Sequence, residues 1–143
     1  MSDETHEGGC LCGAVRFAFT GQPLWIAHCH CQSCRRNTGA AFATWVGVAA
    51  DRFRWSQGTA TRFGSSPQVW RSFCARCGTP LTYEADRWAG EVHINIGTLD
   101  EPGRLVPTAH VHYAERVGWL HMPDGLPRFA GTGGESIRLP DEG

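Results

Sequence analysis

Lysine is absent from this sequence, and all 13 cationic side chains are arginine. We read that as the nucleotide composition of the source rather than a device of recognition. Also missing is an excess of either charge: the formal net charge is −1 and the signs are spread evenly. A chain with no basic face has no field to draw in a polyanion, so nucleic acid is not an expected partner. No run approaches the roughly 18 apolar residues that a membrane helix requires. The polar, acidic stretch from Met1 to Gly9 lacks the charged-then-apolar order of a signal peptide. No membrane partner is expected, and the expected compartment is the cytoplasm. A sustained helical period is lacking too, while 18 glycines and 8 prolines punctuate the whole length. That composition gives many turns between short elements and predicts a mainly β fold.

What is present supports one small globular domain. The chain has 143 residues, with six tryptophans and seven phenylalanines to fill an interior. Residues 8–130 are expected to form that domain, with a flexible start over 1–7 and an irregular tail over 131–143; from Met122 onward the chain is expected to be irregular and docked only through Leu126 and Phe129. Alternating or β-rich runs predict strands at Ala14 to Phe19, Leu24 to His30, Ala41 to Val48, Phe53 to Trp55, Thr59 to Phe63, Val69 to Phe73, Leu81 to Tyr83, Val92 to Ile96 and His110 to Tyr113. Cys31 to Asn37 reads as a short helical turn ended by Thr38-Gly39. Trp45, Trp70 and Trp119 are expected in core or half-buried positions.

The seven cysteines carry the chemistry. An odd count leaves one thiol over in any disulfide framework, and a reducing cytoplasm favours metal binding or catalysis for clustered thiols. They fall as Cys10-Leu11-Cys12, Cys29-His30-Cys31-Gln32-Ser33-Cys34 and Cys74-Ala75-Arg76-Cys77. Thiolates are soft ligands, and zinc takes four of them tetrahedrally at about 2.3 Å. Cys10 and Cys12, flanked by glycines, and Cys74 and Cys77, followed by Gly78, make two converging pairs and a closed structural site. Cys29, Cys31 and Cys34 can fill three corners of a second tetrahedron. The fourth corner would remain open for a thiol substrate, held nucleophilic as its thiolate. These three residues are therefore the candidate catalytic residues, and two zinc ions per chain are the expected cofactors.

The neighbouring residues are weaker candidates. Arg35 and Arg36 lie beside the middle cluster, where guanidinium forks could offset thiolate charge or take a substrate carboxylate. Arg71 is a more distant candidate of the same kind. His28 and His30 share one strand face while Cys29 and Cys31 share the other, so His30 is expected to point away from a metal. His110 and His112 alternate with Val111 and Tyr113 as an ordinary polar strand face.

Gly8-Gly9-Cys10-Leu11-Cys12-Gly13-Ala14-Val15, His28-Cys29-His30-Cys31-Gln32-Ser33-Cys34-Arg35 and Phe73-Cys74-Ala75-Arg76-Cys77-Gly78-Thr79-Pro80-Leu81 together resemble the glutathione-dependent formaldehyde-activating enzyme family, which also contains centromere protein V. Ile96-Gly97-Thr98-Leu99-Asp100, Pro107 through His110 and Trp119 extend the likeness, which runs from Gly8 to about Phe129. The resemblance implies a β fold of the type shared with methionine sulfoxide reductase B, a structural zinc on the outer cysteine pairs and a second zinc on the middle three. For the founding enzymes it implies condensation of glutathione with formaldehyde to S-(hydroxymethyl)glutathione, a carbon–sulfur lyase reaction in reverse. Family membership does not fix the thiol or the aldehyde. A non-catalytic, zinc-stabilised binding module is the alternative, and a redox role for the middle cluster is a third.

Overall fold

The computed structural model describes residues 4–133 and 136–140. Among these the chain runs β1 (Thr5–Gly9), β2 (Arg16–Thr20), β3 (Trp25–Cys29), α1 (Gln32–Thr38), β4 (Ala43–Ala49), β5 (Phe53–Gln57), β6 (Thr61–Ser66), β7 (Val69–Phe73), β8 (Pro80–Ala85), β9 (Glu91–Asn95), β10 (Ala109–Val111), β11 (Arg128–Phe129) and β12 (Arg138–Leu139). The fold is mainly β, as the scatter of glycine and proline required. Contacts group the chain into two compact units, Met1–Trp25 with Val46–Leu105 and Ile26–Trp45 with Val106–Gly143.

In the first unit β1, β2 and β5 form an antiparallel sheet, with Gly8 opposite Phe17 and Phe19 opposite Phe53. Phe17, Ala18 and Phe19 are all buried, so β2 is covered on both faces. Burying one such phenylalanine contributes about 1.5–3 kcal/mol, which makes β2 a principal source of this unit's stability. Gly8 also bridges Leu99, and a Cβ on it would run into the Thr98 carbonyl and the Phe17 ring. The turn over Ile96–Thr98 is pinned from the same side: Asp100 donates its backbone N–H to the Glu7 carbonyl at 2.9 Å, and its carboxylate takes both arms of Arg16 at 2.9 and 2.6 Å. Strands β6, β7, β8 and β9 follow as an antiparallel meander. Pro67 and Gln68 turn its first hairpin, and Gln68 takes the left-handed φ of 62° that such a tight turn demands.

The second unit is built on parallel pairing. Strand β10 lies parallel to β3, with His110 opposite His28, and parallel to β11, with His110 opposite Arg128. Strand β12 then pairs antiparallel with β11. Helix α1 is capped by Cys31, whose sulfur accepts the Cys34 N–H, and closes at Gly39, whose φ of 68° lets its N–H donate to the Arg35 carbonyl.

Most expected strands appear within a few residues of their expected ends, and Val69–Phe73 without any shift. The differences have physical causes. Strand β1 takes up Thr5–Gly9, three residues ahead of the domain start expected at Gly8. Its pattern was hidden because His6 serves as an apolar residue there, buried and stacked on Phe19 at 4.7 Å. The stretch from Met122 onward, expected to be irregular, contains β11 and β12, while residues 134–135 and 141–143 lie outside the described residues. Trp45 is buried, but Trp119 is 71% exposed and is not a core residue.

Two predictions follow from this packing. Gly8→Ala forces a methyl against a backbone carbonyl that cannot step aside, and overpacking of this kind should cost about 1–3 kcal/mol, read as a lower urea midpoint. The second concerns acid. Burial pushes the His93 imidazole below its ordinary 6.5, overcoming the opposing pull of Glu91 at 2.9 Å, and burial lowers His6 likewise. The unfolded chain therefore binds more protons below pH 6.5, so stability should fall as pH drops through that value. The urea midpoint of His93→Gln should fall less steeply between about pH 7 and 5 than that of the wild type.

Candidate metal centres

The outer cysteine pairs converge within the first unit. Each sits in a tight turn just beyond a strand: Cys10 after β1 and Cys74 after β7. Gly13, at φ 82°, returns its N–H to the Cys10 carbonyl at 3.1 Å, and Gly78, at φ 80°, does the same to Cys74 at 2.7 Å. Leu11 N–H reaches the Thr79 hydroxyl at 3.0 Å and ties the two turns together. The four sulfurs of Cys10, Cys12, Cys74 and Cys77 lie within 4.8 Å of one another, with Cys12 at 3.6 Å from Cys10 and 3.8 Å from Cys74. Four thiolates around zinc at 2.3 Å would stand about 3.8 Å apart, so the donor set is of the size that ion requires.

The surrounding polar groups favour sulfur in its anionic form. Val15 N–H donates to the Cys10 sulfur at 3.3 Å, and Cys77 N–H points at the Cys74 sulfur at 3.5 Å. The Thr79 hydroxyl at 3.2 Å, assisted by its backbone N–H, draws the Cys77 thiol down to about 5.

In the second unit, Cys29 ends β3, Cys31 caps α1 and Cys34 lies in the helix's first turn, so one strand-to-helix junction delivers three sulfurs within 4.8 Å. Cys34 faces Cys29 at 3.4 Å, and both are buried while Cys31 is partly open. The Trp45 indole N–H donates to the Cys34 sulfur at 3.4 Å. Hydrogen bonds from Cys29 and Cys34, with the Cys34 backbone N–H, pull the Cys31 thiol well down. The same contact pushes the Cys29 thiol up, because a second anion cannot form beside the first in a buried space. A cation is what would let all three sulfurs ionise together, and three thiolates suit zinc.

Arg35 and Arg36 lie in the second turn of α1, Arg35 half-buried and Arg36 exposed. The Arg35 Nε is buried with no hydrogen-bond partner among the described residues. Arg71 is in β7, buried, with its guanidinium 4.9 Å from the Tyr83 ring centre.

The histidines depart furthest from expectation. His30 does turn away from the cysteines, and its Nε2 lies 2.9 Å from His110 Nδ1. His110 is not an ordinary polar face residue: it is fully buried, and its Nε2 meets Asp124 Oδ2 at 2.8 Å. Arg128, also fully buried, binds the other Asp124 oxygen at 3.2 Å and the Leu126 carbonyl at 2.7 Å, with a short contact to the Met122 carbonyl. The stretch expected to dock only through Leu126 and Phe129 is held instead by this polar chain. Burial opposes ionisation of Asp124, but the bonds from His110, Leu126 N–H and Arg128 prevail and hold its carboxyl at about 2. Desolvation and the neighbouring His110 keep His28 at about 4. Only the spacing of Asp124 and Arg128 across a turn, i to i+4, signalled this in the sequence.

The sequence profile of the glutathione-dependent formaldehyde-activating enzyme family matches residues 5–115. A curated Halomonas elongata protein, provisionally named as a glutathione-dependent formaldehyde-activating enzyme, is 28% identical over 142 residues, covering 92% of this chain and 90% of its own. A crystal structure of a Rhodobacter sphaeroides protein matches with a TM-score of 0.56 at 24% identity, covering 66% of this chain and 87% of that one, a likeness that bears on the fold alone. Two cysteine clusters able to hold metal and a profile match across 111 of 143 positions agree: the chain belongs to the glutathione-dependent formaldehyde-activating enzyme family.

Proposed function

We propose that the chain is a zinc-dependent carbon–sulfur lyase or synthase that makes or breaks a thiol–aldehyde adduct, such as S-(hydroxymethyl)glutathione from glutathione and formaldehyde, in the cytoplasm. The observation that carries this is the unequal size of the two clusters, four sulfurs in one and three in the other. In this reading residues 8–130 form a single catalytic domain. Cys10, Cys12, Cys74 and Cys77 hold a structural zinc, and Cys29, Cys31 and Cys34 hold the second. Bound there, that ion would supply acidity to a thiol at the position the protein leaves open.

The chain's own residues then bind and orient. Cys31, the partly open member of the trio, marks the side from which a thiol enters. Trp45 fixes the Cys34 sulfur and disperses part of its charge. Arg35 has a buried donor to offer a glutathione carboxylate, and Arg36 can screen the site from the exposed face of α1. In the forward direction the sulfur lone pair forms the S–C bond while the carbonyl π bond breaks, and the thiol proton ends on the former carbonyl oxygen. Thiols and formaldehyde combine without a catalyst, so positioning and ionisation of the thiol account for what the protein must add.

The rival is a module that uses the same zinc-stabilised fold to bind a thiol or a protein without turnover. Exchange NMR of glutathione and formaldehyde separates the two: faster exchange at substoichiometric protein is expected, and an unchanged rate would favour the binding module. The metal partition has its own test. Purified protein should contain two zinc ions, and Cys31→Ser should lose one while its circular dichroism is retained. A single zinc kept by that variant would overturn the two-site assignment. Trp45→Phe, which keeps the aromatic bulk but removes the N–H, should weaken the second zinc by about tenfold or more in a chelator competition and leave the first unchanged.

A further inference from the structure

We propose a third metal site in this chain, made by His28, His110 and Asp124, that takes a divalent first-row cation through two imidazoles and one carboxylate. One ligand atom from each of these residues lies within 4.8 Å of the others. The two histidines are side by side because β3 and β10 pair in parallel with His28 opposite His110, and their rings stand 4.8 Å apart. Asp124 comes from the segment beyond residue 115, where the family match ends.

Each of the three has its non-ligating atom already fixed by a partner. His28 Nδ1 lies 2.7 Å from the Thr44 hydroxyl, which leaves Nε2 for an ion. His110 Nδ1 is bound to His30 Nε2 at 2.9 Å, which leaves its Nε2 facing Asp124. Asp124 Oδ1 takes the Leu126 N–H at 3.0 Å and Arg128 at 3.2 Å, which leaves Oδ2 as a single-oxygen ligand. Outer partners that orient every ligand in this way are the habit of metal sites, where the second ring nitrogen of a histidine is held by a neighbour. An ion about 2.1 Å from each donor would set them about 3.4 Å apart, so the 2.8 Å pair opens by about 0.6 Å and the wider gaps close. His110 Nε2 and Asp124 Oδ2 now meet each other at 2.8 Å, and an ion between them would replace that direct contact.

The donor set suits zinc, cobalt(II), nickel(II) or iron(II) rather than the harder magnesium or calcium. Asp124 is 31% exposed, which leaves an entry path. Arg128 weakens the carboxylate as a donor, so the affinity should be lower than at the thiolate clusters. With three protein ligands the ion would keep open positions, and it would tie the Asp124 segment to β3 and β10.

The test uses the full chain with its cysteine clusters saturated with zinc, titrated with cobalt(II) and followed by calorimetry and absorption. One further equivalent is expected, with weak visible bands, no growth of the thiolate-to-cobalt charge-transfer band and a rise in melting temperature. Asp124→Ala and His28→Gln should each lose that equivalent, and Thr44→Val should weaken it about ten- to hundredfold. Wild-type protein that binds no further cobalt overturns the site. So does an added equivalent that brings the charge-transfer band with it, or one retained in His28→Gln, a variant that decides the matter even if Asp124→Ala does not fold.

Discussion

Sulfur crowded against sulfur is the constraint on which this molecule depends. Seven thiols are gathered into two groups, each with its sulfurs within 4.8 Å. Ionised without a counter-charge they repel, and in the trio the first anion, at Cys31, would suppress a second at the buried Cys29. Backbone N–H groups, the Thr79 hydroxyl and the Trp45 indole each relieve a fraction of that repulsion. None supplies a positive charge, which is why these clusters are better understood as ligand sets than as reserves of free thiol. The fold answers the same constraint with strand ends: β1, β7 and β3 each terminate where a cysteine turn begins.

Those turns explain how much of the site was legible. Cys10-Leu11-Cys12-Gly13 and Cys74-Ala75-Arg76-Cys77-Gly78 are local devices, and the glycines at 13 and 78 adopt the left-handed φ that the spacing required. The structure brings together the two groups that the spacing proposed, because each ligand pair or trio is set by a few consecutive residues. What could not be read was non-local. Strand β1 has a polar composition and is made a strand by pairing with β2 and by burial of His6. The parallel neighbours of β10 arrive from residues far apart in sequence, and no alternation within three residues can announce them. Trp119 failed for the opposite reason: a large aromatic residue was assigned to the interior on composition, and its place on an exposed turn is decided by the chain around it.

The C-terminal segment illustrates how a buried charge can organise a short piece of chain. Arg128 is fully buried, and taking a guanidinium out of water costs several kcal/mol unless its donors are met. Asp124, two backbone carbonyls and the face of Tyr113, 5.0 Å away, together offset that cost. The requirement runs both ways, since the same contacts fix Asp124 for His110 and so reach His30 in the middle of the cysteine motif. Residues beyond the stretch that defines the family are thereby joined to residues within it.

That linkage bears on how such a site would work. The proposed reaction proceeds unaided and would ask little of general acid–base catalysis, and His30, between Cys29 and Cys31, is engaged with His110. Its chain of partners instead holds the backbone between Cys29 and Cys31, where His30 N–H also binds the Val111 carbonyl at 3.1 Å. If Cys29, Cys31 and Cys34 hold an ion as proposed, it could take a substrate thiol repeatedly only if those three ligands stay put. The chain of contacts from His30 through His110 to Asp124 joins the cysteine motif to the C-terminal segment, a positioning role rather than a direct one in the proposed reaction.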